Sequence, residues 1–358
     1  MKKPLRVGIA GFGVVGKVRR KFIDQHPRML VTAVCDQSFA KTGGKLEGLS
    51  CFSSYKQLLA EPLDVLFVCL PNYLAPEVTI AGLEKGLHVF CEKPPGKSVE
   101  DILAVIQCER KHAKQKLMYG FNHRYHESVR KAMDIIRSGS LGKVINLRGV
   151  YGKSKIVSFD SDWRTKRALA GGGIFLDQGI HMVDLMRLFA GEFTEVHSYI
   201  SNDFWKHDVE DNAYALMRTA DGVVAQLHSS ATQWRHSFNL SIALTKGSLI
   251  LSGILSNSKS YGAETITIVR ASANDGGDPF EEMIRYNEDN SWRDEVFDFA
   301  SAVIGDKKVT GGTSLEALKT MKTVYRIYYA DLKWRKKYNI PDPDRKVFSR
   351  GAPKAGAT

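Results

Sequence analysis

The chain of 358 residues has only five cysteines, Cys35, Cys51, Cys69, Cys91 and Cys108. All lie in its first third, none forms a C-x-x-C pair, and several sit inside apolar, strand-like runs. That usage argues against a disulfide framework and for a reducing cytoplasm. No apolar run reaches the length of a membrane span, so a membrane partner is not expected. The Met1-Lys2-Lys3 start is not expected to open a signal peptide, because the apolar segment behind it contains a glycine turn and lacks a small-residue cleavage site. Metal-ligand spacing is missing as well. His123 and His126 stand three apart in H-R-Y-H with no carboxylate or cysteine spaced to join them. There is no internal repeat and no basic block interleaved with aromatics. Despite a net charge of +12, nucleic acid is therefore not an expected partner. The bland reading of that charge is solvated surface lysine. The sharper one is a pocket for phosphorylated or nucleotide-linked molecules.

What the chain does have begins at residues 11–16, G-F-G-V-V-G, directly after the apolar run L-R-V-G-I-A. A strand entering a glycine-rich turn and then a helix builds a site for a dinucleotide pyrophosphate. Gly11 allows the tight turn, Gly13 lets phosphates approach the backbone, and Gly16 lets the helix pack close to the strand. Phe12, Val14 and Val15 complete the turn, and the helix amino terminus supplies unpaired N–H groups. A second apolar run, L-V-T-A-V-C, ends in Asp36, twenty residues past Gly16. A carboxylate there accepts hydrogen bonds from a ribose 2′-hydroxyl and repels a 2′-phosphate. NAD is the expected cofactor. NADP comes second, because Lys41 and Lys45 are close enough in sequence to bind a phosphate.

With 43% hydrophobic and 25% charged residues, a chain of this length supports two domains, each with its own core. Residues 1–121 alternate strand-like and helix-like segments. The runs 64–70 and 87–91 read as fully buried parallel strands, and 117–121 as another. The spacing between predicts a helix over 75–85 stopped by Gly86, and Ser98 with Asp101 a capping box for the next helix. The expected class is α/β, a doubly wound parallel sheet. After Asn122 the pattern predicts a helix ending near Gly139. It then predicts strands at 144–151, 195–201, 213–219, 223–229, 238–244 and 265–270, with Asp221-Gly222 as a hairpin turn. Helices return at 291–304 and 315–334. Residues 122–340 thus form an α+β domain with a large, mainly antiparallel sheet, and 341–358 a flexible tail.

Two further constellations carry chemistry. C-E-K-P-P at 91–95 ends a parallel strand, where open α/β sheets bind ligands, and Lys93 there projects beside a nicotinamide unless it is a surface lysine in a turn. G-G-G-I-F-L-D-Q-G-I-H follows at 171–181. If residues 174–190 are one helix, Asp177 and His181 lie four apart on one face and interact directly. A carboxylate beside an imidazole fixes its tautomer and suits it to take a hydroxyl proton. Asp184 is either a supporting carboxylate or solvated. The triple glycine implies a backbone closely approached by something.

Taken together, these motifs resemble the glucose–fructose oxidoreductase/inositol dehydrogenase (Gfo/Idh/MocA) family over nearly the whole chain, to about residue 335. Asp162-Trp163-Arg164 and the run Gly120 to Tyr125 share in that resemblance. It implies a Rossmann domain followed by an oligomerising substrate domain, a homodimer or homotetramer formed through the open face of the second sheet, and a sugar dehydrogenase activity. By the same resemblance Lys93, Asp177 and His181 form the catalytic trio. Leu70, Pro71, Asn72, Glu92, Trp163 and Arg164 line the cofactor. Asn122, Arg124, Tyr125 and Arg164 meet the substrate. Two departures stand out: Pro95 replaces a small aliphatic residue, and His123 interrupts the Asn-x-Arg element.

Arg124, Arg164, Lys166, Arg167, Trp205, His207, Trp234, Arg235 and His236 either meet a sugar and its phosphates or serve as surface charge and core tryptophan. A nucleotide-linked or anionic sugar is the favoured substrate, with a free aldose or inositol next. Glycoside cleavage through transient NAD oxidation and non-catalytic NAD sensing stay open.

Overall fold

Apolar runs too short for helices and bounded by turns become the strands of a first, wholly parallel sheet. They are β1 (Leu5–Ala10), β2 (Met29–Cys35), β3 (Ser50–Phe52), β4 (Val65–Val68), β5 (His88–Glu92) and β6 (Leu117–Gly120). The order is β3-β2-β1-β4-β5-β6. Every residue of β4 is buried, which is why its sequence is continuously apolar and does not alternate. The strand order reverses between β1 and β4, and that reversal opens a crevice at the carboxyl ends of the strands. The computed structural model describes residues 3–42, 46, 48–155, 163–256, 258–272, 274 and 276–345. Lys45, Asp162 and residues 346–358 of the expected tail lie outside them.

Helices α1 (Val14–Ile23), α2 (Ala75–Glu84) and α3 (Val99–Lys111) flank this sheet. α2 stops before Gly86, which has φ +78°, and α3 opens on the expected Ser98/Asp101 capping box. α4 (Glu127–Ser138) ends at Gly139, in the left-handed conformation that suits glycine.

A second sheet holds β7 (Val144–Gly152), β8 (Phe193–Ser201), β9 (Asn212–Thr219), β10 (Val224–Ser230), β11 (Ser237–Leu244), β12 (Gly247–Ser252), β13 (Glu264–Arg270) and β14 (Phe280–Tyr286). Its order is β14-β13-β12-β11-β7-β10-β9-β8, antiparallel except where β7 meets β10. The turn at Asp221-Gly222 joins β9 to β10 as expected. One face is buried under α5 (Ile180–Ala190), whose residues from Ile180 to Arg187 are all buried. The other face exposes Tyr199, Tyr214, Leu216 and Val224.

Two later helices tie the sheets together. α6 (Ser291–Ile304) returns to the first sheet, where Val296, Phe299 and Ala300 join Val7, Ile9, Phe67 and Phe90 in one apolar cluster. Phe67 and Phe90 stack at 4.9 Å, and Phe299 meets both edge-on at 5.8 and 5.5 Å. Each such pair adds about 0.5–1.5 kcal/mol beyond area burial. α7 (Ser314–Ala330) packs against α3 and β8. Among the described residues no helix is long and apolar enough to cross a membrane.

Candidate active site

The glycine turn has the properties its spacing predicts. Gly11 has φ +91°, and a Cβ there would strike the Cys69 carbonyl. A Cβ at Gly16 would strike the Gly11 carbonyl, whereas one at Gly13 meets nothing within 4 Å. The first and third glycines let the chain fold onto itself; the second leaves open space at the amino terminus of α1. No side chain caps that terminus. Its N–H groups and partial positive charge are therefore free to meet a diphosphate, which is what such a terminus would hold. Val14 is 80% exposed beside it, Val15 is half-buried, and Phe12 is core.

At the end of β2, Asp36 Oδ2 accepts the Phe12 N–H at 3.0 Å, and Oδ1 accepts from Ser38 N and Oγ at 2.9 and 2.7 Å. The carboxylate is fixed at the turn, where it suits a ribose and opposes a 2′-phosphate. Leu70, Pro71 and Asn72 follow β4, and Asn72 Nδ2 donates to the Ala170 carbonyl at 2.7 Å. Glu92 closes β5 and accepts from Arg19 at 2.6 Å. The fully buried Arg19 also bonds Glu295 at 2.6 Å and lies over Phe90 and Trp292. Among these residues it is the glycine turn, the uncapped amino terminus of α1 and Asp36 whose geometry suits a dinucleotide, whereas Asn72 and Glu92 are buried and bonded within the protein.

Lys93 follows β5 and precedes a cis peptide to Pro94. Its Nζ donates to the backbone carbonyl of Asp177 at 2.7 Å, joining the first sheet to the segment that carries His181. The close approach implied by the triple glycine comes from the protein itself. Cβ atoms at Gly171, Gly172 and Gly173 would strike the Lys97 carbonyl, the Tyr328 hydroxyl and the Glu210 carbonyl. Glu210 Oε1 holds the same turn, accepting from Gly173 N (2.7 Å), Phe175 N (3.0 Å) and Tyr328 Oη (2.7 Å).

The segment is not one α-helix. Residues Phe175–Gly179 form a π turn before α5 begins. The wider turn removes the i,i+4 alignment, and no hydrogen bond joins Asp177 to His181 among the described residues. The expectation of direct contact is corrected. The Asp177 carboxylate instead faces Lys153 Nζ at 3.7 Å and Arg164 Nε at 3.9 Å. Burial alone would raise this carboxyl, but Lys93, Lys153 and Arg164 outweigh it and hold it at about 2.

His181 lies flat on His123, with ring centroids 3.7 Å apart and planes at 12°. Its Nδ1 is buried with no hydrogen-bond partner among the described residues. Burial, then the charges of Lys93 and His126, pull its pKa well below the ordinary imidazole value. His123 in turn bonds Tyr151 Oη at 3.0 Å and Asn122 Oδ1 at 3.3 Å. The departure at His123 thus stands against the key imidazole.

Other candidates turn out to be braces. Arg124 is not open to a substrate: it makes two hydrogen bonds to Asp184 (2.6 and 2.7 Å) and one to Glu316 (2.6 Å). Asp184 is buried, not solvated. Tyr125 donates to Asp298 at 2.7 Å, and the buried Asn122 to Ser291 at 3.2 Å. Arg167 stands over the rings of Tyr328 and Tyr338, and His236 bonds Ser154 and Ser260. Trp163 stands edge-on to Tyr73, which follows β4, at 6.2 Å, and Arg164 lies over Trp163 at 4.5 Å. Lys153 and Glu210 escape the sequence reading. Lys153 is the first residue past β7, the only signal available for it.

Comparison with known proteins matches residues 5–121 to the oxidoreductase family with an NAD-binding Rossmann fold, and residues 129–250 to the GFO/IDH/MocA C-terminal domain. The chain is 25% identical over 287 residues to levoglucosan dehydrogenase of Pseudarthrobacter phenanthrenivorans, covering 69% of this chain and 73% of that one. It is 29% identical over 256 residues to D-glucoside 3-dehydrogenase of Escherichia coli, with coverage of 63% and 70%. For myo-inositol 2-dehydrogenase of Thermotoga maritima the identity is 27% over 236 residues, with coverage of 63% and 68%. The solved structure of levoglucosan dehydrogenase with NADH and levoglucosan superposes with a TM-score of 0.82 at 20% identity, covering 93% of this chain and 98% of that one. Matched in both of its sheets, the chain belongs to the GFO/IDH/MocA family of oxidoreductases, with an NAD-binding Rossmann fold.

Proposed function

We propose that this enzyme moves a hydride between NAD and a ring secondary alcohol of a sugar, giving a keto-sugar. The observation that carries the reading is the convergence of Lys93, from the end of β5, with the segment bearing Asp177 and His181. When bound, NAD supplies the acceptor for the hydride leaving the carbinol carbon. His181, kept neutral by burial and by the Lys93 charge, accepts the hydroxyl proton. Lys93 stabilises the oxygen as negative charge develops on it. Asp177, carboxylate at any physiological pH, balances the surrounding cations and holds Lys93 through its backbone carbonyl.

The substrate we favour is an anionic sugar, whether nucleotide-linked or acidic in itself, because the carboxylate of Asp177 is outnumbered by Lys93, Lys153 and Arg164. The relatives named for levoglucosan, glucoside and inositol favour a neutral monosaccharide or inositol as the second reading. The five free thiols suit a reducing cytoplasm. The exposed face of the second sheet, where Tyr199 pairs with Tyr214 and Tyr214 stacks on His228 at 4.1 Å, is the surface we assign to a second copy of the chain.

The test is NADH absorbance during incubation with NAD and a panel of neutral, acidic and nucleotide-linked sugars. Reduction by one of them is expected. His181→Ala should lower kcat by about 10²–10⁴-fold while NAD still binds. Full turnover in that variant removes His181 from its role. Silence across the panel with NAD tightly bound points instead to a sensor or to an NAD-using glycosidase.

A further inference from the structure

We infer that Lys153 is a specificity-determining residue: its ammonium reads an anionic substituent, a carboxylate or a phosphate, on the sugar whose hydroxyl meets Lys93 and His181. This rests on the dehydrogenase reading of the same site.

The stem of Lys153 is fixed. Its N–H donates to the Ser230 carbonyl at 2.9 Å, and its own carbonyl accepts from Gln233 at 3.0 Å, so the residue is pinned between the ends of β7 and β10. The side chain is only 20% exposed. An ammonium has three donors, and one shielded from water ordinarily spends them on acceptors. Among the described residues, Lys153 has a single ion-pair partner, Asp177 Oδ2 at 3.7 Å, beyond hydrogen-bond reach. That partner is already shared with Arg164 at 3.9 Å and lies within the field of Lys93. Burial, then the charges of Lys93 and Arg164, pull the Lys153 pKa down against the pull of Asp177. An anion delivered with the substrate would supply the missing acceptor and reverse that strain.

Geometry puts the anion on the reacting sugar itself. Lys93 addresses the backbone carbonyl of Asp177, and Lys153 the carboxylate of the same residue. One pyranose ring can therefore present a hydroxyl to the first ammonium and a charged substituent to the second. The competing role is mechanical: Lys153 steadies Asp177 and touches no ligand.

Equilibrium binding separates the two without requiring turnover. The NADH-loaded protein is titrated calorimetrically with a hexuronate, a hexose 6-phosphate and the neutral hexose of matching configuration. Wild type, Lys153→Met and Lys153→Arg are compared. The wild type should prefer at least one anion over its neutral counterpart. Lys153→Met should cut that preference by about 10- to 100-fold, the worth of one charge-assisted hydrogen bond, and Lys153→Arg should restore most of it. Preference for the uronate alone or for the phosphate alone identifies the substituent. The inference is overturned if the wild type shows no preference. It is equally overturned if Lys153→Met weakens charged and neutral sugars by the same factor, the signature of a mechanical role. Failure of every sugar to reduce NAD would sink the dehydrogenase reading, and this binding ratio is measured independently of that result.

Discussion

Replacing Arg124 by methionine separates a substrate grip from a structural brace. In the folded chain Arg124 donates three charge-assisted hydrogen bonds, at 2.6 and 2.7 Å to Asp184 and 2.6 Å to Glu316. The Asp184 side chain is 1% exposed and that of Glu316 is 30% exposed. Without the guanidinium, Asp184 retains only the Thr320 hydroxyl, at 3.0 Å, among the described residues. Removing one partner of a buried pair costs about 3–5 kcal/mol, because the other charge is left without compensation. The contact to Glu316, open to water, adds less than about 1 kcal/mol. At about 2–4 °C of Tm per kcal/mol, Arg124→Met should melt about 6–20 °C below the wild type. Differential scanning calorimetry of the apo protein reads this directly, and steady-state kinetics on the surviving fraction should show KM within about threefold of wild type. Pairing the change with Asp184→Asn removes the stranded charge, so the double variant should melt above the value expected from the two single losses. A variant that melts within about 2 °C of wild type but has KM raised tenfold or more would show that Arg124 grips the substrate, and the brace assignment would be wrong.

The glycine turn offers a paired test. Gly13→Ala adds a methyl to open space on backbone that alanine tolerates (φ −75°, ψ −152°), so apo Tm should stay within about 2 °C while the NAD dissociation constant rises more than about tenfold. Gly16→Ala drives a Cβ into the Gly11 carbonyl and should cost about 1–3 kcal/mol even without cofactor, read by urea unfolding; equal apo stability of the two variants contradicts the assignment. Because the His181 pKa is lowered, the base form persists below the ordinary imidazole range, and kcat/KM should hold through neutral pH and fall only well on the acid side. Lys93→Met removes one of the cations that lower it, so alongside a large loss of rate the acid limb should move to higher pH; an unmoved limb rejects His181 as the titrating group. Glu210→Ala strands three buried donors at about 1–3 kcal/mol each, and should lower both Tm and kcat with little change in NAD affinity; a kcat equal to wild type would show that the turn held by Glu210 does not set the position of the segment that carries Asp177 and His181.

How far these residues could be read from sequence depends on the distance at which their partners act. The first sheet and its cradle follow from local rules: a continuous apolar run makes β4, Ser98 with Asp101 starts α3, and three glycines at fixed spacing shape the turn before α1. Strand β12 is diluted by serines and β14 is a largely exposed edge, so neither carries the alternation that revealed its neighbours. The site residues divide in the same way. Arg124 and Tyr125 stand in a motif that resembles a binding element, but what fixes their role is Asp184, Glu316 and Asp298, which lie 60 to 192 positions away. A nearby carboxylate sealed from water turns an arginine into a brace; without one, the same arginine would face the pocket. The π turn acts over a shorter range with the same effect, since one extra residue in a turn moves Asp177 away from His181 and toward cations supplied by the residue just past β7 and the segment before the glycines. The consequence is mechanistic. With the Asp177 carboxylate turned to Lys153 and Arg164, the plane of the His181 ring is held by its stack on His123, itself tied to Tyr151 and Asn122. His181 Nδ1 has no hydrogen-bond partner among the described residues. Stacking fixes the ring's plane and not its tautomer, so the carboxylate's expected task of setting the tautomer is not met by Asp177 here.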